Sequence, residues 1–306
     1  PAETAHVTDP AEPNGSPGFA RHWAIVTGAG LLGMIYYRCC LVGAPCTRFL
    51  VELGATPFHF GLISGLGAFT MACQLVSGLM ANRLRRRKPV WMALFILHRL
   101  AFVGVLAAPG LFSTVPARLW WIIGVLCFHN VLTNLGDPLW FSWMTDLVPK
   151  DGFNSHWGRR QRIITIGSIV AQIVIAVWFG GYEARGEVVR GFIFLGLGGV
   201  VLGIIDIILF ALVPEPEHQQ DHQADLKSAF AEPWRNRAFR PFLVFQIYWN
   251  FAVMLAAPFF MVYLIREVGF AAFWVQILLV VHATGMALAS GLWGRICDTH
   301  GYKPVL

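Results

Sequence analysis

The stretch Gly78-Leu-Met-Ala-Asn82-Arg83-Leu-Arg85-Arg86-Arg87-Lys88-Pro89-Val90 stands between two long apolar runs. A second stretch, Gly294-Arg-Ile-Cys-Asp298-Thr-His-Gly301-Tyr-Lys303-Pro304-Val305, follows another such run. The Lys-Pro-Val ending recurs from Lys88 to Lys303, an offset of 215 residues, and a glycine upstream recurs at the same offset, Gly54 and Gly269. A basic, glycine-marked loop repeated half a protein apart, beside apolar runs of membrane length, points to a duplicated membrane bundle.

Composition agrees. The chain is 56% hydrophobic and 13% charged, against about 25% charged residues in a soluble domain. Too few polar residues exist to cover a water-facing surface, so lipid is the expected solvent. The net charge of +6 sits in short loops between apolar spans, which fits membrane orientation and not a nucleic-acid footprint. The six cysteines (Cys39, Cys40, Cys46, Cys73, Cys127 and Cys297) form no CxxC pair and read as small apolar residues, with no metal site or cofactor expected. Residues 1–20 lack a basic start and an apolar core, so they read as a disordered cytoplasmic tail and not a signal peptide.

A membrane helix needs about 20 mostly apolar residues. Eight segments qualify, near 23–46, 58–81, 89–110, 117–145, 162–182, 191–213, 241–265 and 271–294, and a ninth begins near Lys303. Fifteen basic residues fall on one side of these spans: Arg83, Arg85, Arg86, Arg87, Lys88, Lys150, Arg159, Arg160, Arg162, Lys227, Arg235, Arg237, Arg240, Arg295 and Lys303. Five fall on the other: Arg48, Arg118, Arg185, Arg190 and Arg266. The positive-inside rule places the first set and the N-terminus in the cytoplasm, in a plasma (inner) membrane. Residues 214–240 are polar and follow six helices, so they read as a linker between a first half (21–213) and the start of a second (241–306). Trp23, Trp120, Trp121, Trp178 and Trp293 lie near span ends and suit an interfacial belt.

With both loop copies, the six-helix block and the linker in place, the chain resembles the major facilitator superfamily over about residues 20–306. The resemblance implies an all-α polytopic bundle of twelve helices in two six-helix halves, each half an inverted three-helix repeat. About eight of the twelve are complete here, and the chain is expected to be a C-terminally truncated fragment. The family signature, Gly-x-x-x-Asp-Arg-x-Gly-Arg-Arg/Lys, is modified in the first copy, where Asn82 replaces the acid and Arg85 stands near the second glycine. The second copy keeps Asp298 and Gly301 but has Thr299. An acid at the cytoplasmic end of helix 4, Asp146, resembles the family's partner for the loop arginine. The expected cytoplasmic gate therefore comprises Asn82, Arg83 or Arg86 against Asp146, Arg160 in the nearby Trp157-Gly-Arg159-Arg160, and Asp298 facing the positive N-terminus of helix 5. The alternative is that these arginines only set topology.

Charged and polar residues inside spans are costly and usually face a cavity or a partner. Arg38, after Tyr36 and Tyr37, can hold an anionic group bidentately or else snorkel at an early helix end. Helix 4 carries Asn130, Asn134 and Asp137 along one face, as a cavity stripe or as interhelical hydrogen bonds. Helix 7 offers Gln246, Trp249 and Asn250, as a polar and stacking surface or as ordinary packing. Asp137 and Asp206 are candidates for carrying a coupled proton. The resemblance puts helices 3 and 6 outside the cavity, so Arg99 and Asp206 are also expected to pair or pack structurally.

No catalytic constellation, phosphate loop or nucleophile elbow is present, so no enzyme is expected. The reading is a monomeric secondary transporter of a small polar or anionic organic solute. It uses alternating access with a co-transported proton or sodium. The alternative is a non-transporting membrane sensor or partner protein on the same scaffold.

Overall fold

The computed structural model describes residues 17–148, 153–217 and 226–300, without the side chains of 17–18, 154–155, 226–230 and 290–300. These residues form α1 (Pro17–Cys40), α2 (Ala44–Glu52), α3 (Pro57–Thr70), α4 (Cys73–Arg83), α5 (Lys88–Leu111), α6 (Val115–Leu147), α7 (Phe153–Ala184), α8 (Val188–Phe210), α9 (Leu226–Arg235), α10 (Arg240–Arg266) and α11 (Ala272–His300), with no strand among them. Eight spans are long and apolar enough to cross a membrane, α1–α2 and α3–α4 each serving as one.

Two spans are broken where the sequence alone reads as continuous. In the first, Gly43 has φ 156°, a region that residues with a Cβ avoid. Pro45 follows at the start of α2, where its missing N–H leaves no donor unpaired. A Cβ on Gly43 would lie 3.0 Å from Gln276 Oε1, and that same oxygen accepts the Ala44 N–H at 3.1 Å. The break thus brings α11 against the backbone of the first span. In the second, Met71 and Ala72 donate to the carbonyls three residues back, both at 3.2 Å. A tight turn of this kind bends a helix while keeping its backbone satisfied.

The repeated glycines have one job in two places. Gly54 (φ 93°) and Gly269 (φ 77°) are left-handed, and each closes the turn after a span, with Ala55 N–H on Leu50 O and Phe270 N–H on Leu264 O, both at 2.9 Å. A helix that stops in a left-handed residue satisfies its last carbonyls, and glycine does this without a Cβ penalty.

Packing follows from small residues at the crossings. α1 packs on α7 and α8, α5 on α6 and α8, and α4 on α6. A Cβ on Gly199 would lie 2.8 Å from Cys39 Cβ, so only glycine admits α1 this close. One apolar core gathers Tyr36, Phe49, Phe102, Phe179 and Phe192, and a second gathers Trp23, Trp91, Leu139, Trp143 and Phe210. Trp120, Trp121 and Trp178 are exposed, whereas Trp23 is buried against Trp157. Trp23 is core because α1 begins at Pro17, which carries residue 23 into the bundle. Trp293 lies among the side chains outside the described residues.

Replacing Gly54 or Gly269 by alanine is expected to lower stability by about 1–2 kcal/mol, the cost of a left-handed L-residue. The loss is larger at Gly54, where a Cβ would lie 3.0 Å from Val115 Cγ1, than at Gly269, which has open space. Thermal unfolding in detergent measures both; equal, negligible losses would contradict the shared capping role.

Candidate functional site

Charges within the first half are arranged around Arg99 of α5. Its Nη2 donates to Asp206 Oδ2 of α8 at 3.0 Å, and both side chains are nearly inaccessible. Its guanidinium carbon lies 3.8 Å from the centre of the Tyr36 ring, and the Tyr36 hydroxyl is 2.9 Å from His129 Nε2. The His129 ring in turn sits 3.9 Å from that of His98. Helices α1, α5, α6 and α8 are therefore tied through one buried polar group. Two glycines make room for it: a Cβ on Gly33 would be 2.6 Å from Asp206 Oδ2, and one on Gly203 would be 2.7 Å from Arg99 Nε.

Beside this group lies a cavity of about 110 Å³, lined by Gly30, Trp91, Phe95, Asp137, Trp140, Arg160, Asp206 and Phe210. Asp137 makes no hydrogen bond or ion pair with the described residues, although it lies in the field of Arg99. Arg160 reaches the cavity because α7 starts at Phe153 and not near residue 162. It is 8% exposed, and its guanidinium carbon lies 5.2 Å from both the Trp140 and Trp157 rings.

The other residues named from sequence are spread over the bundle. Asn134 accepts from Gln74 Nε2 at 2.7 Å and donates to Thr70 Oγ1 at 3.1 Å, so it fastens α6 to α3 and α4. Asn130 faces Gly67 of α3. Arg38 is half-buried and its Nε donates to Ser168 Oγ of α7 at 3.3 Å; Tyr37 is exposed beside it. On α10, Trp249 and Asn250 are exposed and Gln246 is half-buried, and the Asn250 amide folds back onto the Gln246 carbonyl. At the basic loop, Asn82 is half-buried and Arg83 and Arg86 are exposed. Asp146 meets the next arginine along, Arg87 Nη2, at 2.7 Å. The side chain of Asp298 lies outside the described residues.

The Major Facilitator Superfamily profile matches residues 26–306. The chain belongs to the major facilitator superfamily. Its fold resembles that of the nucleoside transporter NupG, crystallised as a point mutant, with TM-score 0.66 and 15% identity, over 93% of this chain and 70% of that one. It also resembles a bacterial homologue of the human lysosomal transporter Spinster in an inward-facing, unoccupied conformation, with TM-score 0.63 and 16% identity, over 96% of this chain and 65% of that one. No curated protein matches the chain by sequence. The chain is thus a multi-pass membrane protein of a transporter superfamily.

Three contacts of this superfamily member escape sequence reasoning because their partners lie far apart in the chain. Arg87, wholly buried, also donates to Ser142 Oγ at 2.7 Å, and Glu215 accepts the backbone N–H groups of Arg87 and Lys88. Glu183 of α7 accepts from Arg48 Nε at 3.1 Å and from the Ala272 N–H at the start of α11 at 2.8 Å. Gln276 of α11 reaches Gln172 Oε1 at 3.3 Å. The only signal for the second lies in the placement of Arg48 and Glu183 at the same ends of their spans.

Removing one member of a buried ion pair costs about 3–5 kcal/mol, while replacing both by apolar groups costs far less. Asp206→Leu is therefore expected to lower detergent stability strongly, and Arg99→Met/Asp206→Leu to recover most of it. A double variant no more stable than the single one would show that the pair is not the unit.

Proposed function

We propose that this protein is a secondary active transporter that moves a small polar or anionic organic solute by alternating access. The carrying observation is a set of described contacts that closes the two halves at one end. The described polar contacts that cross from the first half to α10 and α11 all cluster at the end opposite the basic loops. They are Glu183 with Ala272, Gln172 and Ala44 with Gln276, Thr47 with Met261 at 3.9 Å, and Ala55 with Arg266 at 3.5 Å. With the basic loops in the cytoplasm, these contacts close the external end, and the Arg48–Glu183–Ala272 contact is the latch of that closure.

The Arg87–Asp146–Glu215 contact is different in kind. Its described members join the α4–α5 loop, α6 and the first residues of the 214–240 linker, and so brace that end of the first half while the halves rock. Of the two aspartates, Asp206 is held by Arg99 and Asp137 is not, so Asp137 is the one suited to carry a coupling proton or sodium ion. Fold likeness at 15–16% identity supports the transporter mechanism and carries no substrate identity.

Spin labels at Arg85→Cys and Phe242→Cys report the cytoplasmic opening. Glu183→Gln removes the latch charge and is expected to shift the population of that distance towards shorter values, with saturable solute flux in reconstituted vesicles. A distance that never changes, together with solute binding but no flux, would favour a sensor on the same scaffold.

A further inference from the structure

Resting on the transporter assignment, we propose that Arg160 and Trp91 form the subsite for the acidic group of the solute, a short monocarboxylate. The cavity they line has donors to spare. Arg160 Nε, Trp91 Nε1 and Trp157 Nε1 are each buried without an acceptor, and Arg160 has no ion pair or hydrogen bond with any described residue. A buried donor left unsatisfied is costly, more so when charged, so the two on the cavity lining, Arg160 and Trp91, call for a group that only accepts.

The nearby acids do not supply it. Asp206 is committed to Arg99 at 3.0 Å, and Asp137, on the cavity wall, makes no hydrogen bond or ion pair with Arg160. Trp140 and Trp157 flank the guanidinium at 5.2 Å, which fixes its position and leaves hydrogen-bonding edges for a ligand. Gly30 lies directly against it, so a side chain there would displace the guanidinium. The inward charges of this half, between its two end clusters, are Arg38, Arg99 and Arg160 against Asp137 and Asp206. With Asp137 ionised and holding no coupling ion, one positive charge remains, and a monoanion balances it. The size suits a small ligand: at about 30 Å³ per water, a volume of about 110 Å³ is the space of three to four waters.

The test is equilibrium binding of radiolabelled lactate to the purified full-length protein, with lactamide as the uncharged competitor and glycine as the zwitterionic one. Saturable lactate binding that lactamide and glycine do not displace is expected. Arg160→Gln should weaken it by at least about tenfold, the loss of a charge-assisted pair, and Arg160→Lys by less. Trp91→Phe keeps the ring and removes the N–H; it should weaken binding about three- to tenfold, which serves if Arg160→Gln fails to fold. The exposed Arg185→Gln should bind as the parent does. No lactate binding by the parent protein, equal binding by Arg160→Gln or Trp91→Phe, or displacement by lactamide or glycine would overturn the proposal. Failure here with the spin-label distance still switching would reject the subsite alone; a fixed distance would reject the transporter assignment itself.

Discussion

A charge inside a bilayer must be answered by another charge or by a ligand, because desolvation costs several kcal/mol per ion. The Arg99–Asp206 pair is where this chain meets that constraint most directly, at 3.0 Å and almost without solvent. Everything near it is shaped to admit it. Gly33 and Gly203 give up their side chains to the pair, Tyr36 lies under the guanidinium, and Tyr36 passes the polarity on to His129 and His98. Four helices of the first half are thereby joined at one depth. In lipid no hydrophobic driving force holds helices together, so a polar centre with close-packed glycines around it is the natural device.

Arg160 is the exception to this pairing. It is nearly as buried as Arg99 but has no ion pair among the described residues, and its neighbours are indoles and a small cavity. The same physics that explains the Arg99–Asp206 pair as structure marks Arg160 as waiting for something. A second contrast separates the two charge clusters at the ends of the bundle. The described contacts of Arg87 reach Asp146 of α6 and Glu215 at the start of the linker, whereas Glu183 links Arg48 to the start of α11 in the other half. In the rocking motion proposed above, the second contact is the one that would have to break.

Much of this was legible in residue order. Span number, the superfamily and the pairing or packing of Arg99 and Asp206 follow from apolar length, from two copies of a basic loop and from two charges too expensive to leave alone in lipid. The offset glycines Gly54 and Gly269 were visible as a repeat, and their shared left-handed backbone explains why the repeat survived as glycine. The stripe on α6 was visible too, but its division was not. Asn134 turns out to be an interhelical fastener to Thr70 and Gln74, while Asp137, less than one turn further on, lines the cavity. Spacing puts residues on one face of a helix and says nothing about which neighbour each will meet.

Sequence by itself determined the solvent, the number of spans and the family, because hydrophobic length and the loop repeat are local properties of the chain. Only the tertiary structure decided which charges are partners. It put Arg87 opposite Asp146, carried Arg160 inward by starting α7 at Phe153, and joined Arg48, Glu183 and Ala272 from three separate spans. Such pairings depend on where helices cross, and crossings are set by many small side-chain volumes acting together, which no single stretch of residues encodes.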